Sequence, residues 1–179
     1  MRKARQRGVR TPSFFIVLML LAGVCKGQSA EEYEVKAAFL YNFTKFVEWP
    51  SVTESPVFSI CILGDDPFES AIDRLTVGKL VGSRSLKVQR LKDGAEGKQC
   101  QIVFVGAAER TKVSKLVDSV RGTAVLTVGE SAEFLRMGGM IFLSTQDGHV
   151  SVVINPAVTE AARLKVSAKL MTLAKVYKP

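Results

Sequence analysis

The chain has one histidine in 179 residues, His149. It sits in a stretch that reads as a hairpin turn, where a solvated imidazole is the ordinary outcome. Without a second histidine, a zinc site would have to draw on the cysteines or on several carboxylates. A hydrolase would need a nucleophile with a base, and no such pairing is visible. Glycine-rich phosphate cradles are also missing, since neither Gly64-Asp65-Asp66 nor Gly138-Gly139 carries the required pattern. No Pro/Ser linker, charged tail or internal repeat divides the chain. Acids are absent before Glu31.

What fills that acid-free start is distinctive. Arg2, Lys3, Arg5, Arg7 and Arg10 precede an 11-residue apolar run, Phe14–Val24, and small residues follow at Gly27, Ser29 and Ala30. A basic head, a short apolar run and a small-residue exit are the parts of a secretory signal peptide. The run is too short for a membrane span, which needs about 20 residues. Residues 1–27 are therefore expected to be a cleaved leader, with the cut between Cys25 and Ala30. Val24 and Ala22 stand where a lipobox would place a small residue and a leucine, so lipidation of Cys25 is not the expected event. Residues 28–179 form the mature domain.

Removing the leader changes the charge. Six of the 25 basic residues lie before Gly27, so a cut there leaves 19 against 17 acids. The precursor's basicity suggests nucleic acid or anionic membrane. The mature chain is nearly neutral and makes no such demand.

Three cysteines become two, Cys61 and Cys100. Two cysteines in an exported domain point to a disulfide. The alternative is a pair of buried thiols. The compartment favours the bridge, which would close a loop of about 40 residues.

Along the mature chain, residues 31–49 read as a helix whose stripe includes Phe39, Phe43 and Phe46, stopped by Pro50. Strands are expected at 57–63, 79–81, 86–91, 101–105 and 124–128. Short helices are expected at 69–75, 113–121 and 131–137. A hairpin spans 140–154, and a final helix runs over 156–177. Strands alternating with helices give an α/β domain. The sheet is mostly parallel with a late antiparallel hairpin, and the N- and C-terminal helices flank it.

Two groups of side chains invite a functional reading. Tyr33, Tyr41 and Trp49 are more aromatic surface than one helix buries easily, so they are candidate partner contacts. Asp65 and Asp66 end a parallel-type strand, where ligands bind in open α/β sheets. They could hold a hydroxylated ligand or a cation. The simpler role for these acids is to cap the next helix, with Pro67 in its first turn.

The long run Glu32-Tyr-Glu-Val-Lys-Ala-Ala-Phe-Leu-Tyr-Asn-Phe-Thr-Lys-Phe-Val-Glu-Trp-Pro50 resembles the opening motif of the YfiR-like family. Cys61–Phe68, Cys100–Phe104, Val125–Val128, Phe134–Ile141 and Ile154–Leu170 resemble its later pieces, in order. The resemblance implies a periplasmic, non-enzymatic repressor with no cofactor or metal. It implies binding to the periplasmic sensor domain of an inner-membrane diguanylate cyclase, lowering cyclic-di-GMP and biofilm formation. It further implies sequestration by an outer-membrane OmpA-like lipoprotein, and it is compatible with a homodimer. By position, Cys61 and Cys100 match the family's bridged pair. The second cysteine pair that some members carry near the late hairpin has no counterpart in Met140–Ile154. The competing reading is a periplasmic small-molecule sensor using the strand ends near Gly64–Phe68.

Overall fold

Val57–Leu63 places an apolar or small residue at every position, and all but the first are buried. Such a run suits a strand covered on both faces. The structure, a computed structural model, describes residues 24–50, 55–106 and 110–178, with side chains from Ser29 onward. The basic head and most of the apolar run of the expected leader lie outside the described residues. The expected cleavage window, 25–30, falls in the first turns of α1.

The elements in chain order are α1 (Val24–Phe46), β1 (Val47–Glu48), β2 (Val57–Leu63), α2 (Ala71–Thr76), β3 (Leu80–Val81) and β4 (Arg84–Leu91). A 3-10 turn at Gly94–Gln99 leads to β5 (Ile102–Val105), α3 (Arg110–Val120), β6 (Leu126–Gly129) and α4 (Ala132–Arg136). The chain ends with β7 (Ile141–Gln146), β8 (His149–Ile154), α5 (Pro156–Ala161), β9 (Lys165–Val166), α6 (Ala168–Leu173) and β10 (Lys175–Val176).

Eight strands form one sheet in the order β10-β8-β7-β6-β5-β2-β4-β3. The pairs β4/β2, β2/β5, β5/β6, β6/β7 and β8/β10 are parallel. The hairpin β7/β8 and the edge pair β3/β4 are antiparallel. From β2 the chain moves outward to β4, then returns to β5 and proceeds the other way to β6. The winding therefore reverses between β2 and β5. This is the mixed α/β domain the alternation implies, with its late hairpin and flanking helices.

Alternation along the central strands sorts the core into two layers. Phe58, Ile60, Ile62, Ile102, Phe104, Leu126 and Val128 face one side, where Ala37, Leu40 and Phe43 of α1 and Ile72 of α2 cover them. Leu40 and Phe43 are fully buried, each worth about 1.5–3 kcal/mol of transfer free energy. Cys61, Leu63, Val103 and Val105 face the other side, beneath Leu116 and Val120 of α3 and Phe134.

Ser131 caps α4 as expected, its Oγ accepting from the Phe134 amide at 3.1 Å. Phe134 is clamped because Gly129 and Gly139 leave no room for a Cβ beside its ring.

Three expectations need correction. The helix over 31–49 ends at Phe46, because Val47 and Glu48 pair antiparallel with Val166 and Lys165. The helix over 156–177 does not form as one piece. Arg163 adopts a left-handed φ of 58° and ends α5. Val166 then joins Val47, Ser167 caps α6 by accepting from Leu170 N at 3.3 Å, and Lys175 and Val176 add to the edge of β8. Neither Asp65 nor Asp66 caps α2, whose N-cap is Ser70. Asp66 instead accepts from the Phe68 amide at 2.9 Å, closing a local turn ahead of the helix.

Candidate functional site

The stripe of α1 that meets the sheet includes Ala37, Leu40 and Phe43, and Lys36 continues it one turn before Leu40. A lysine at a core position needs partners, because burying an unpaired ammonium is costly. Lys36 is 3 % exposed and finds two: its Nζ bonds Glu32 on its own helix and Glu130 just past the end of β6. The Tyr33 ring lies 4.7 Å from the same nitrogen, and the Tyr33 hydroxyl donates a long 3.5 Å bond to Glu130 Oε2. Thr145 Oγ1 on β7 donates to Glu32 Oε1 at 2.8 Å.

Burial works against the Lys36 charge, but its bonds to Glu130 and Glu32 outweigh that and hold its pKa above the ordinary value. For Glu32, burial pushes upward, yet Lys36 and Thr145 prevail and its pKa is lowered. Burial and the Glu130 charge raise Tyr33.

This network contributes residues to three clefts. Glu130 lines a cleft of about 390 Å³ between α3 and α4. Tyr33 lines one of about 420 Å³ between α1 and the β2–α2 turn. Glu32 lines a third of about 330 Å³ beside the β7–β8 hairpin. The carboxyl ends of β2 and β5, between which the winding reverses, are the usual ligand side of open α/β sheets.

The structure scatters the sequence candidates. Tyr33 is half-buried, stacked edge-on against Phe68 at 5.7 Å. Trp49 lies beyond the helix, with its ring 4.9 Å from Phe58 and Nε1 donating to the Gln101 carbonyl at 3.3 Å. Tyr41 is also half-buried, with Lys45 Nζ 4.3 Å from its ring. The fold thus absorbs much of the aromatic surface that the helix alone could not. Asp66 is engaged by Arg90 at 2.7 Å, and Arg90 also holds Asp73 at 2.6 Å. The Arg90 contact lowers the Asp73 pKa. Asp65 and Asp66 line none of the three clefts.

His149 opens β8 and is exposed, with Nδ1 2.9 Å from the Asp147 carbonyl. Among the described residues, no group of three or more His, Cys, Asp or Glu side chains could hold a metal ion.

Cys61 and Cys100 form a disulfide across Cα atoms 6.1 Å apart. Both are buried beside Leu63 and Val103. The bridge ties β2 to the entry of β5, the two strands flanking the winding reversal.

Sequence reasoning missed Lys36 and Glu130. Lys36 had a signal, its place on the apolar stripe with Glu32 one turn before it. Glu130 had none nearby, since its partner lies 94 positions earlier.

A family model described as YfiR/HmsC-like matches residues 33–175, most of the chain and nearly all of the described fold. The chain belongs to the YfiR/HmsC-like family. No curated protein matches it in sequence. Among the solved structures that share the fold are two that are similar over most of this chain. One is the ABC domain from Streptococcus pneumonia, solved in complex with L-Trp, at TM-score 0.52 and 8 % identity, covering 83 % of this chain and 60 % of that one. The other is a conserved domain protein from Vibrio cholerae O1 biovar eltor, at TM-score 0.53 and 10 % identity, covering 82 % and 60 %. This YfiR/HmsC-like chain thus spans about 60 % of the length of both. At these identities the likeness is one of fold. No described helix of this family member is long and apolar enough to cross a membrane.

Proposed function

We propose that this protein is a periplasmic regulator that binds the periplasmic sensor domain of an inner-membrane diguanylate cyclase and represses it. The observation that carries this reading is the YfiR/HmsC-like match across residues 33–175. The leader-like start of the sequence supports the compartment, and the buried Cys61–Cys100 bridge suits an oxidising one. An OmpA-like outer-membrane lipoprotein would relieve repression by sequestering the regulator.

Repression of this kind is a population shift. The regulator lowers cyclic-di-GMP only to the extent that it binds the inactive form of the sensor more tightly than the active form. Tyr33, Tyr41 and Trp49 remain the proposed contacts. Tyr41 is the strongest of them, because it stays half-buried on α1 with Lys45 Nζ 4.3 Å from its ring. Trp49 is committed to Phe58 and Gln101.

The test is deletion of the gene followed by measurement of cyclic-di-GMP and surface attachment. Both should rise, and both should return on complementation. Unchanged levels in cells that carry a neighbouring membrane cyclase would reject the reading.

A further inference from the structure

We propose that the cleft between α3 and α4 binds a small amphipathic monocarboxylate. The cleft opens at the carboxyl ends of β5 and β6, and its volume of about 390 Å³ falls within the usual range of ligand pockets. Its floor is apolar, built from Val105, Val113, Phe134 and Met137. The Phe134 ring cannot shift freely, since Gly129 and Gly139 pack directly against it. The floor is therefore formed before any ligand arrives.

The rim sets the sign of the ligand. Arg110, the first residue of α3, is the one cation among the described lining residues. Its Nη2 makes a single 3.2 Å contact with Glu133 Oε1. Glu133 is held independently by Arg136, which donates to Oε2 from Nε at 2.9 Å and from Nη2 at 2.7 Å. Arg110 can therefore turn to a ligand without leaving Glu133 unpaired. Glu130, the other acid among the described lining residues, is turned to Lys36.

A cationic ligand would compete for carboxylates already paired. A phosphate would bring two charges to one arginine beside two glutamates. A single carboxylate fits, because a guanidinium accepts it with two parallel hydrogen bonds. Its alkyl or aryl body would cover the four apolar side chains. The site does not depend on the regulatory reading above.

The experiment titrates the mature protein with octanoate and follows backbone amide shifts by two-dimensional NMR. Saturable shifts should centre on residues 105, 113, 129 and 131. Arg110→Gln should weaken binding at least tenfold. Glu133→Gln should tighten it several-fold by releasing Arg110. On the wild-type protein, 1-octanol, with the same tail and no charge, should bind at least tenfold more weakly than octanoate. Shifts that do not saturate, shifts centred elsewhere, equal affinity for octanol, or indifference to Arg110→Gln would each overturn the proposal.

Discussion

Lys36 and Glu130, 94 positions apart, form a buried ion pair that fastens the first helix to the end of a central strand. Glu32 completes the pairing from the turn before. The lysine is nearly inaccessible, whereas the two carboxylates keep 20 % and 27 % of their side-chain surface. Removing Lys36 therefore leaves acids that water can reach, and removing Glu130 leaves a buried cation with one partner.

That asymmetry predicts an order of stabilities. Breaking a buried pair from one side costs about 3–5 kcal/mol when the orphaned charge stays dry. Glu130→Ala should approach the lower end of that range. Lys36→Met, which keeps the apolar stem and lets both acids hydrate, should cost about half as much. Urea unfolding of the two variants checks the order, and a less stable Lys36→Met would contradict it.

Stability should also fall at both ends of the pH scale. Glu32 has a lowered pKa, so its contribution is present above the ordinary carboxylate value and disappears as pH drops through the folded value. Lys36 has a raised pKa, so its contribution is complete below the ordinary lysine value, about 10.4, and is lost as pH climbs through the folded one. Thermal melts should show a plateau near neutrality with an alkaline decline. Lys36→Met should flatten that decline, leaving the smaller part that belongs to Tyr33.

The disulfide closes a 39-residue separation, which is worth roughly 4 kcal/mol if chain entropy dominates. The double substitution Cys61→Ala, Cys100→Ala should lower the unfolding free energy by about that amount. Because Cys61 is 0 % and Cys100 3 % exposed, the native bridge should resist dithiothreitol until the protein unfolds. Thiol titration in denaturant should find no reactive groups in Cys61 or Cys100 before reduction and two after it.

Trp49 and Tyr41 should separate stability from recognition. Trp49→Ala removes the stack on Phe58 and the bond to Gln101. For a half-buried ring this should cost about 2 kcal/mol. Tyr41→Ser should cost less than about 1 kcal/mol yet weaken binding to the cyclase sensor domain, measured by calorimetry. Full affinity in Tyr41→Ser would remove that face of α1 from the proposed interface.

The sequence displayed most of the central sheet, because its strands are either apolar or small throughout, as in β2 and β5, or separated by the Asp147-Gly148 turn, as in β7 and β8. Helix caps were equally local, and Ser131 could be read from its neighbours. The last 20 residues were not legible in the same way. Their apolar spacing suits a helix, but Val166 and Val176 are claimed by strands far away in sequence. The ionic node divides likewise. Lys36 can be found on the stripe of its own helix, while Glu130 has meaning only once β6 has been placed beside α1.

The final pair of strand residues carries a consequence for solubility. Lys175 and Val176 lie along β8, and Tyr177 donates its amide to the Ile154 carbonyl at 2.7 Å. They cover Val153 and Ile154, the last two residues of β8, whose backbone groups would otherwise stand open to any passing chain. Proteolytic trimming back to Ala174 would remove that seal while leaving the rest of the sheet in place. The clipped protein should then self-associate edge to edge more readily, so these residues act as a partial safeguard against aggregation.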